Sequence, residues 1–213
     1  VQALDCYRWA PVGDRIHTWV RWRSCPFEAV AAEVPTEGDI LELGCGHGLF
    51  SLHLAISAPD RRVTGSDIDA EKLVVARRAA AVSGREISFF DSPAGAPPPG
   101  PWDAVAIVDV LYLLDPDAQR RVLIDAASVL APGGLLVVKE MGKTPAWKAR
   151  WNRIQEALAV KVLRITEGAT IAMVPPSTYE GWLADAGLTV TSSRRIDRRY
   201  PHPHHLLVAR KPA

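Results

Sequence analysis

The sequence predicts an α/β domain: a largely parallel sheet with helices on both faces. Three observations carry this. The apolar run Asp39-Ile40-Leu41-Glu42-Leu43 passes through Gly44-Cys45-Gly46-His47-Gly48 into a run suited to a helix, Leu49 to Ala55. Strand-like and helix-like stretches then alternate down the chain. Between Asp103 and Asp109 the chain is continuously apolar, as a strand buried on both faces is.

In order, Arg62-Val63-Thr64-Gly65-Ser66-Asp67 reads as a second short strand ending in an acid. Asp69 to Ser83 carries Leu73, Val74, Ala76, Ala80 and Ala81 at helical spacing, with Asp69 suited to cap it. Glu86 to Phe90 is a third strand, and Pro93 to Pro101 a proline- and glycine-rich loop. After the strand at 103–109, Asp117 to Leu130 reads as a helix stopped by Pro132-Gly133-Gly134, and Leu135 to Val138 as the fifth strand. Ser177 and Glu180 have the spacing of a capping box for a helix through Ala186, ended by Gly187. Leu188 to Ser192 and Leu206 to Ala209 complete the strands. Crossovers between parallel strands are right-handed.

The 213 residues, 48% hydrophobic and 23% charged, suit one such domain with additions. No run approaches the ~18 apolar residues of a membrane span, and no signal peptide is evident. Cys6, Cys25 and Cys45 are odd in number and lack metal spacing, which points to free thiols and a cytoplasmic setting. The net charge of +1 is unevenly spread: residues 36–138 sum to −6 and residues 139–213 to +7. An anionic substrate or surface is one reading of the basic third, a solvated helix face the other.

The glycine turn departs from the dinucleotide fingerprint G-x-G-x-x-G, because Leu49 stands where the third glycine belongs and Gly48 is extra. Glu42, two residues before the turn, suits a cationic ligand better than a pyrophosphate. Ligands of open α/β sheets bind outside the carboxyl ends of the strands. Four such ends carry acids here: Glu42, Asp67, Asp91 and Asp109. A carboxylate so placed can accept hydrogen bonds from ribose hydroxyls or an amino group. Asp67 lies near the spacing expected of a ribose-binding acid.

The pattern Glu42-x-Gly44-x-Gly46-x-Gly48 resembles motif I of the class I S-adenosylmethionine-dependent methyltransferases. That resemblance implies a Rossmann-like three-layer αβα sandwich with strand order 3-2-1-4-5-7-6 and strand seven antiparallel. It implies S-adenosyl-L-methionine as cofactor and S-adenosyl-L-homocysteine as product. Glu42 would lie near the methionine amino group, and Gly44, Cys45, Gly46 and Gly48 would abut the cofactor. Asp67 would take the ribose hydroxyls, Ile68 would pack on the adenine, and Asp91 and the Ser92 backbone N–H would contact its edge. Asp109 would border the transfer centre. The family's D-V-L-x-H segment reads Asp109-Val110-Leu111-Tyr112-Leu113 here, so its histidine is absent.

The resemblance covers residues 36–140 well and 177–210 loosely, within a single domain. Residues 1–35 form an N-terminal helical cap on this reading. Residues 141–176 form an insertion whose helix at 145–163 carries Trp147, Trp151, Ile154, Leu158 and Val162. Both could close over an acceptor as a lid, or contact a membrane surface peripherally. Candidates for chemistry are Asp109, Tyr112 and His47, with Glu140 also at the rim. The tract Pro201-His202-Pro203-His204-His205 reads as a rim or exposed loop rather than a metal site, since no acid or cysteine joins it locally. The expected activity is methyl transfer to a small, anionic or amphipathic molecule, most simply at oxygen, with nitrogen or carbon as alternatives. The alternatives are a lipid-like or nucleic-acid acceptor, another group transfer from a related nucleotide, and a non-catalytic cofactor-binding protein. Near-neutral charge and the absence of an N/D-P-P-Y/F motif argue against nucleic acid.

Overall fold

The computed structural model describes residues 2–92, 95–141, 172–198, 200 and 202–213. Its strands are Glu37–Leu43 (β1), Asp60–Asp67 (β2), Ile87–Asp91 (β3), Trp102–Val108 (β4), Leu130–Met141 (β5), Thr189–Arg195 (β6) and His204–Arg210 (β7). They form one sheet in the order β3-β2-β1-β4-β5-β7-β6, as the sequence led us to expect. β7 is antiparallel to β5 and β6, and the other pairings are parallel. The short connection at 196–203 cannot carry a crossover, so it returns the chain antiparallel.

The helices are Val12–Ser24 (α1), Phe27–Ala31 (α2), Leu49–Ser57 (α3), Ala70–Ser83 (α4), Pro116–Ser128 (α5) and Pro176–Asp185 (α6). Ala3–Tyr7 and Leu111–Leu113 are single 3-10 turns. Asp69 caps α4 by accepting from the Glu71 and Lys72 N–H groups, and Gly84 closes it in the left-handed region. Asp115 caps α5 through Ala118 N–H at 2.8 Å, with Pro116 in its first turn.

Alternation along the strands divides the core. One face carries Ile40, Ala104, Val108, Val137 and Leu206 and is covered by α3, α4 and the N-terminal segment. The other carries Leu41, Val105, Ile107, Leu136 and Leu207 under α5 and α6. By the same alternation Glu42 and Lys139 lie on the first face, beneath the N-terminal segment, and Glu140 on the second.

Arg61 ties that segment down. It is buried, and its guanidinium donates to the carbonyls of Pro35, Leu54, Ala31 and Val34 at 2.6–3.0 Å. Arg194 reaches Glu33, and His204 Nε2 lies 2.8 Å from the Ser24 carbonyl. Arg61→Met should cost about 2 kcal/mol, because it leaves buried carbonyls without donors. Urea denaturation of the variant measures this, and an unchanged midpoint would exclude such a clamp.

Two expectations are corrected. The helix after β4 ends at Ser128, and Pro132-Gly133-Gly134 lies inside β5 instead of before it. Leu130 already pairs with Trp102, an irregularity follows between Trp102 and Ala104, and Gly133 takes φ +76° within the strand. The capping box of Ser177 and Glu180 does not form. Pro175 and Pro176 preset the backbone, so the helix starts two residues early and Ser177 falls inside it. Glu180 instead accepts a hydrogen bond from Ser193 of β6. The helix expected at 145–163, with its tryptophans, lies outside the described residues.

Candidate functional site

The turn after β1 is fastened to β2: Gly44 and Cys45 both donate N–H to the Ser66 carbonyl, at 2.8 and 2.9 Å. Its glycines have different causes. A Cβ on Gly44 would sit 2.4 Å from a Val110 methyl group, so that position serves the contact between the turn and the end of β4. At Gly46, φ is +52° and a Cβ would meet only the Lys72 side chain, at 3.9 Å. This glycine leaves its backbone open to approach from outside.

Asp67, at the end of β2, is positioned by that turn. One carboxylate oxygen accepts from Gly46 N–H at 2.6 Å and the other from Asp69 N–H at 2.9 Å. Two backbone donors fix its orientation, and further lone pairs remain for a ligand. Asp91 stands in register beside it on β3, exposed, and Ile68 is 66% exposed. Ser92 differs from expectation. Its N–H continues the β2–β3 ladder to the Asp67 carbonyl at 2.9 Å, and its hydroxyl donates to the Ala96 carbonyl. Both of its donors are thus engaged.

Glu42 is buried under the turn and accepts from the Ser51 hydroxyl. Burial pushes its carboxyl up to about 7, only partly countered by Ser51 and the nearby Arg21. Cys45 is buried beside it, and burial raises its thiol far above the usual range, so it is no nucleophile at neutral pH.

Asp109 follows β4 with φ +57°, a left-handed conformation that few side chains adopt. It holds Lys139 on one oxygen and Arg21 Nη1 on the other, the latter at 2.7 Å. Burial alone would raise this carboxyl, but Lys139 and then Arg21 outweigh it and hold Asp109 well below the usual carboxylate range. Lys139 is fully buried. His204 is the diagonal neighbour of Lys139 across the β5–β7 pair, and burial followed by Lys139 lowers it to about 3. On the other face, Glu140 accepts from the N–H groups of Val110, Leu111 and Tyr112 at 3.1, 2.8 and 3.4 Å. Burial and Asp109 push its carboxyl up. Glu140 thereby shapes the 3-10 turn that carries Tyr112, whose carbonyl accepts from Ala172 N–H at 2.9 Å.

His47 faces the N-terminal segment. Its carbonyl accepts from Tyr7 Oη at 2.6 Å, its Nε2 lies 3.3 Å from Asp14, and its ring lies 4.8 Å from that of His17. Burial lowers its pKa despite Asp14, so the imidazole is neutral at neutral pH. The structure therefore gathers Glu42, Asp67, Asp91 and Asp109 at the carboxyl ends of four adjacent strands, around one open glycine. Lys139 and Ser51 were missed in the sequence. The available signal was a lysine and a glutamate continuing the apolar run Leu135 to Val138.

Residues 40–134 match a family model described as a methyltransferase domain. The chain is 34% identical over 128 residues to a demethylmenaquinone methyltransferase of Thermus thermophilus, covering 59% of this chain and 56% of that protein. It is 30% identical over 169 residues to a ubiquinone biosynthesis O-methyltransferase of Xanthomonas axonopodis pv. citri, covering 76% of this chain and 67% of that one. Among solved structures, magnesium protoporphyrin IX methyltransferase from Synechocystis PCC 6803 with bound SAH superimposes with a TM-score of 0.68 at 19% identity. That match covers 92% of this chain and 84% of the other, and shows the shared fold. The chain spans 29% to 62% of the length of the first three curated relatives it matches.

Proposed function

The chain belongs to the S-adenosylmethionine-dependent methyltransferases, and on that premise we propose that it transfers a methyl group from S-adenosylmethionine to a small organic acceptor, at oxygen. The observation that carries this reading is the row of acids on four adjacent strands around Gly46. The choice of oxygen is supported by the O-methyltransferase named above among the relatives.

The residues fit the cofactor. At Gly46 a Cβ would meet nothing nearer than 3.9 Å, so a ligand can lie against the backbone there. Asp67 and Asp91 offer acceptors to ribose and an amino group, and exposed Ile68 offers an apolar side to a flat base. Glu42, a buried carboxyl whose pKa burial has raised to about 7, favours a cationic neighbour. Ser92 takes part through shape rather than through its engaged donors.

When bound, S-adenosylmethionine supplies an electrophilic methyl group, and the protein's task is alignment and proton management. Of the three residues read as catalytic, His47 has the character of a proton acceptor: it is neutral and its ring is oriented by Asp14 at 3.3 Å. Asp109 is held ionised between two cations, so we assign it a positioning role, setting Arg21 and Lys139. Tyr112, set by Glu140, would line the acceptor side. The basic C-terminal third is compatible with an anionic acceptor. No described helix is long and apolar enough to cross a membrane, and the free thiols favour the cytoplasmic setting that belongs to this reading.

Methyl-label transfer from S-adenosylmethionine across a panel of phenols, carboxylates and amines tests the activity, and labelling confined to amines would overturn the oxygen assignment. Asp67→Ala should weaken S-adenosylmethionine binding roughly tenfold to a hundredfold, the range for hydrogen bonds to a charged group. Titration calorimetry measures it, and unchanged affinity would remove Asp67 from the binding site.

A further inference from the structure

The outward face of α1 is apolar and its inward face is charged, the reverse of the usual amphipathic helix. Inward, Asp14 meets His47 and Arg21 meets Asp109. Outward, Val12, Ile16, Trp19 and Val20 follow the i, i+4, i+7, i+8 spacing of one helix face and are 67%, 57%, 52% and 46% exposed. One exposed apolar side chain needs no explanation, but a contiguous stripe of four marks an interaction surface. The charged residues that share this outward face are Arg15 and Arg23, and no acid is exposed with them on the helix. The Arg23 guanidinium lies 5.7 Å from the Trp19 ring centroid. Beside the stripe, between α1 and the turn at Ala3–Tyr7, runs a groove of about 420 Å³, lined by Leu4, Val12, Ile16 and Trp19 together with Asp5, Arg8 and Arg15. Arg8 is already paired with Asp5, which leaves Arg15 and Arg23 as the face's charge.

We propose that this face docks onto an anionic lipid bilayer. The chemistry matches: an apolar ridge to enter the acyl boundary, an interfacial tryptophan with both an apolar body and a polar edge, and flanking arginines for the lipid phosphates. Charge argues against a second copy of the chain as the occupant. A twofold pairing of α1 would set Arg15 and Arg23 of one copy against the same arginines of the other, with no exposed acid on the helix to separate them and Asp5 beside it already paired with Arg8. Docking of the outer face would hold the site under the inner face close to the membrane, within reach of an acceptor dissolved in lipid. The docking itself stands independently of the transferred group.

Cosedimentation of the intact chain with vesicles tests this. Vesicles of equal parts phosphatidylcholine and phosphatidylglycerol should retain the protein at low salt, less so as salt rises, and phosphatidylcholine alone should not. The double variants Ile16→Asp with Val20→Asp, and Arg15→Glu with Arg23→Glu, should each lower retention at least about tenfold. Their melting temperature and S-adenosylmethionine affinity should stay unchanged, since these side chains are exposed. Absence of wild-type retention, equal retention on both vesicle types, or variants that bind like wild type would each overturn the proposal. So would a dimer in sedimentation velocity that Ile16→Asp with Val20→Asp dissociates.

Discussion

Asp109→Asn is expected to destabilise the protein by about 3–5 kcal/mol, the cost of breaking a buried ion pair by removing one partner. The reason is Lys139. It is fully exposed to nothing but protein, and its ammonium rests on the Asp109 carboxylate. Asparagine keeps a similar shape and tolerates the left-handed φ of +57°, so the substitution removes charge with little backbone penalty. What remains is a buried ammonium facing a second cation. Arg21 is 30% exposed at its side chain and can turn toward water, whereas Lys139 cannot. The double variant Asp109→Asn with Lys139→Met should therefore recover most of the loss. Urea denaturation of the three proteins decides it: a loss below about 1 kcal/mol in the single variant, or no recovery in the double, would show that the network does not hold the fold.

Glu42→Gln should separate stability from binding. The ordinary carboxyl value is 4.5, and in the folded chain burial raises Glu42 to about 7. Because the folded value is the higher, the stability Glu42 contributes is complete below about 4.5 and is lost as the pH rises through 7. The loss by pH 8 is on the order of 3 kcal/mol. Among the described residues, the groups that face Glu42 are Ser51, Arg21, Asp67, Tyr7 and Cys45, and of these Ser51 donates to it directly. Glutamine does not ionise, so the ligand-free variant should gain on wild type steadily from pH 4 to pH 8. Its affinity for S-adenosylmethionine should fall progressively behind that of wild type over the same range, as the wild-type carboxylate ionises and the amide does not. A stability difference that ignores pH, measured by thermal unfolding, would contradict the raised carboxyl.

The sheet was legible because its signals are local. Glycine turns, strand-end acids and the apolar run before Asp109 each fit within a dozen residues, and strand order followed from the resemblance they carried. Two boundaries were misread for tertiary reasons. Pro132-Gly133-Gly134 looks like a helix stop, but the pairing of Leu130 with Trp102 draws it into a strand. Glu180 has capping-box spacing, yet Ser193 on a neighbouring strand engages it. The site was half legible. Asp67 and Gly46 announce themselves by spacing, whereas the Arg21–Asp109–Lys139 cluster joins residues 88 and 30 positions apart. No period in a sequence reports such partners. The outward apolar face of α1 was not legible beyond a helical cap at residues 1–35, because its orientation depends on what the sheet presents beneath it.

The clamps on the N-terminal cap have a consequence for how the chain is made. Arg21 waits for a partner 88 residues downstream, Glu33 for one 161 residues on, and the Ser24 carbonyl for one 180 residues on. At roughly 5–20 residues per second of synthesis, the last of these emerges some 10 to 40 s after its partner. This segment is thus made before its partners and settles only after them. Until then Phe27 and Val30, buried in the folded chain, are exposed together with the stripe on α1, and the growing chain carries its largest apolar surface in that interval, when aggregation competes with folding.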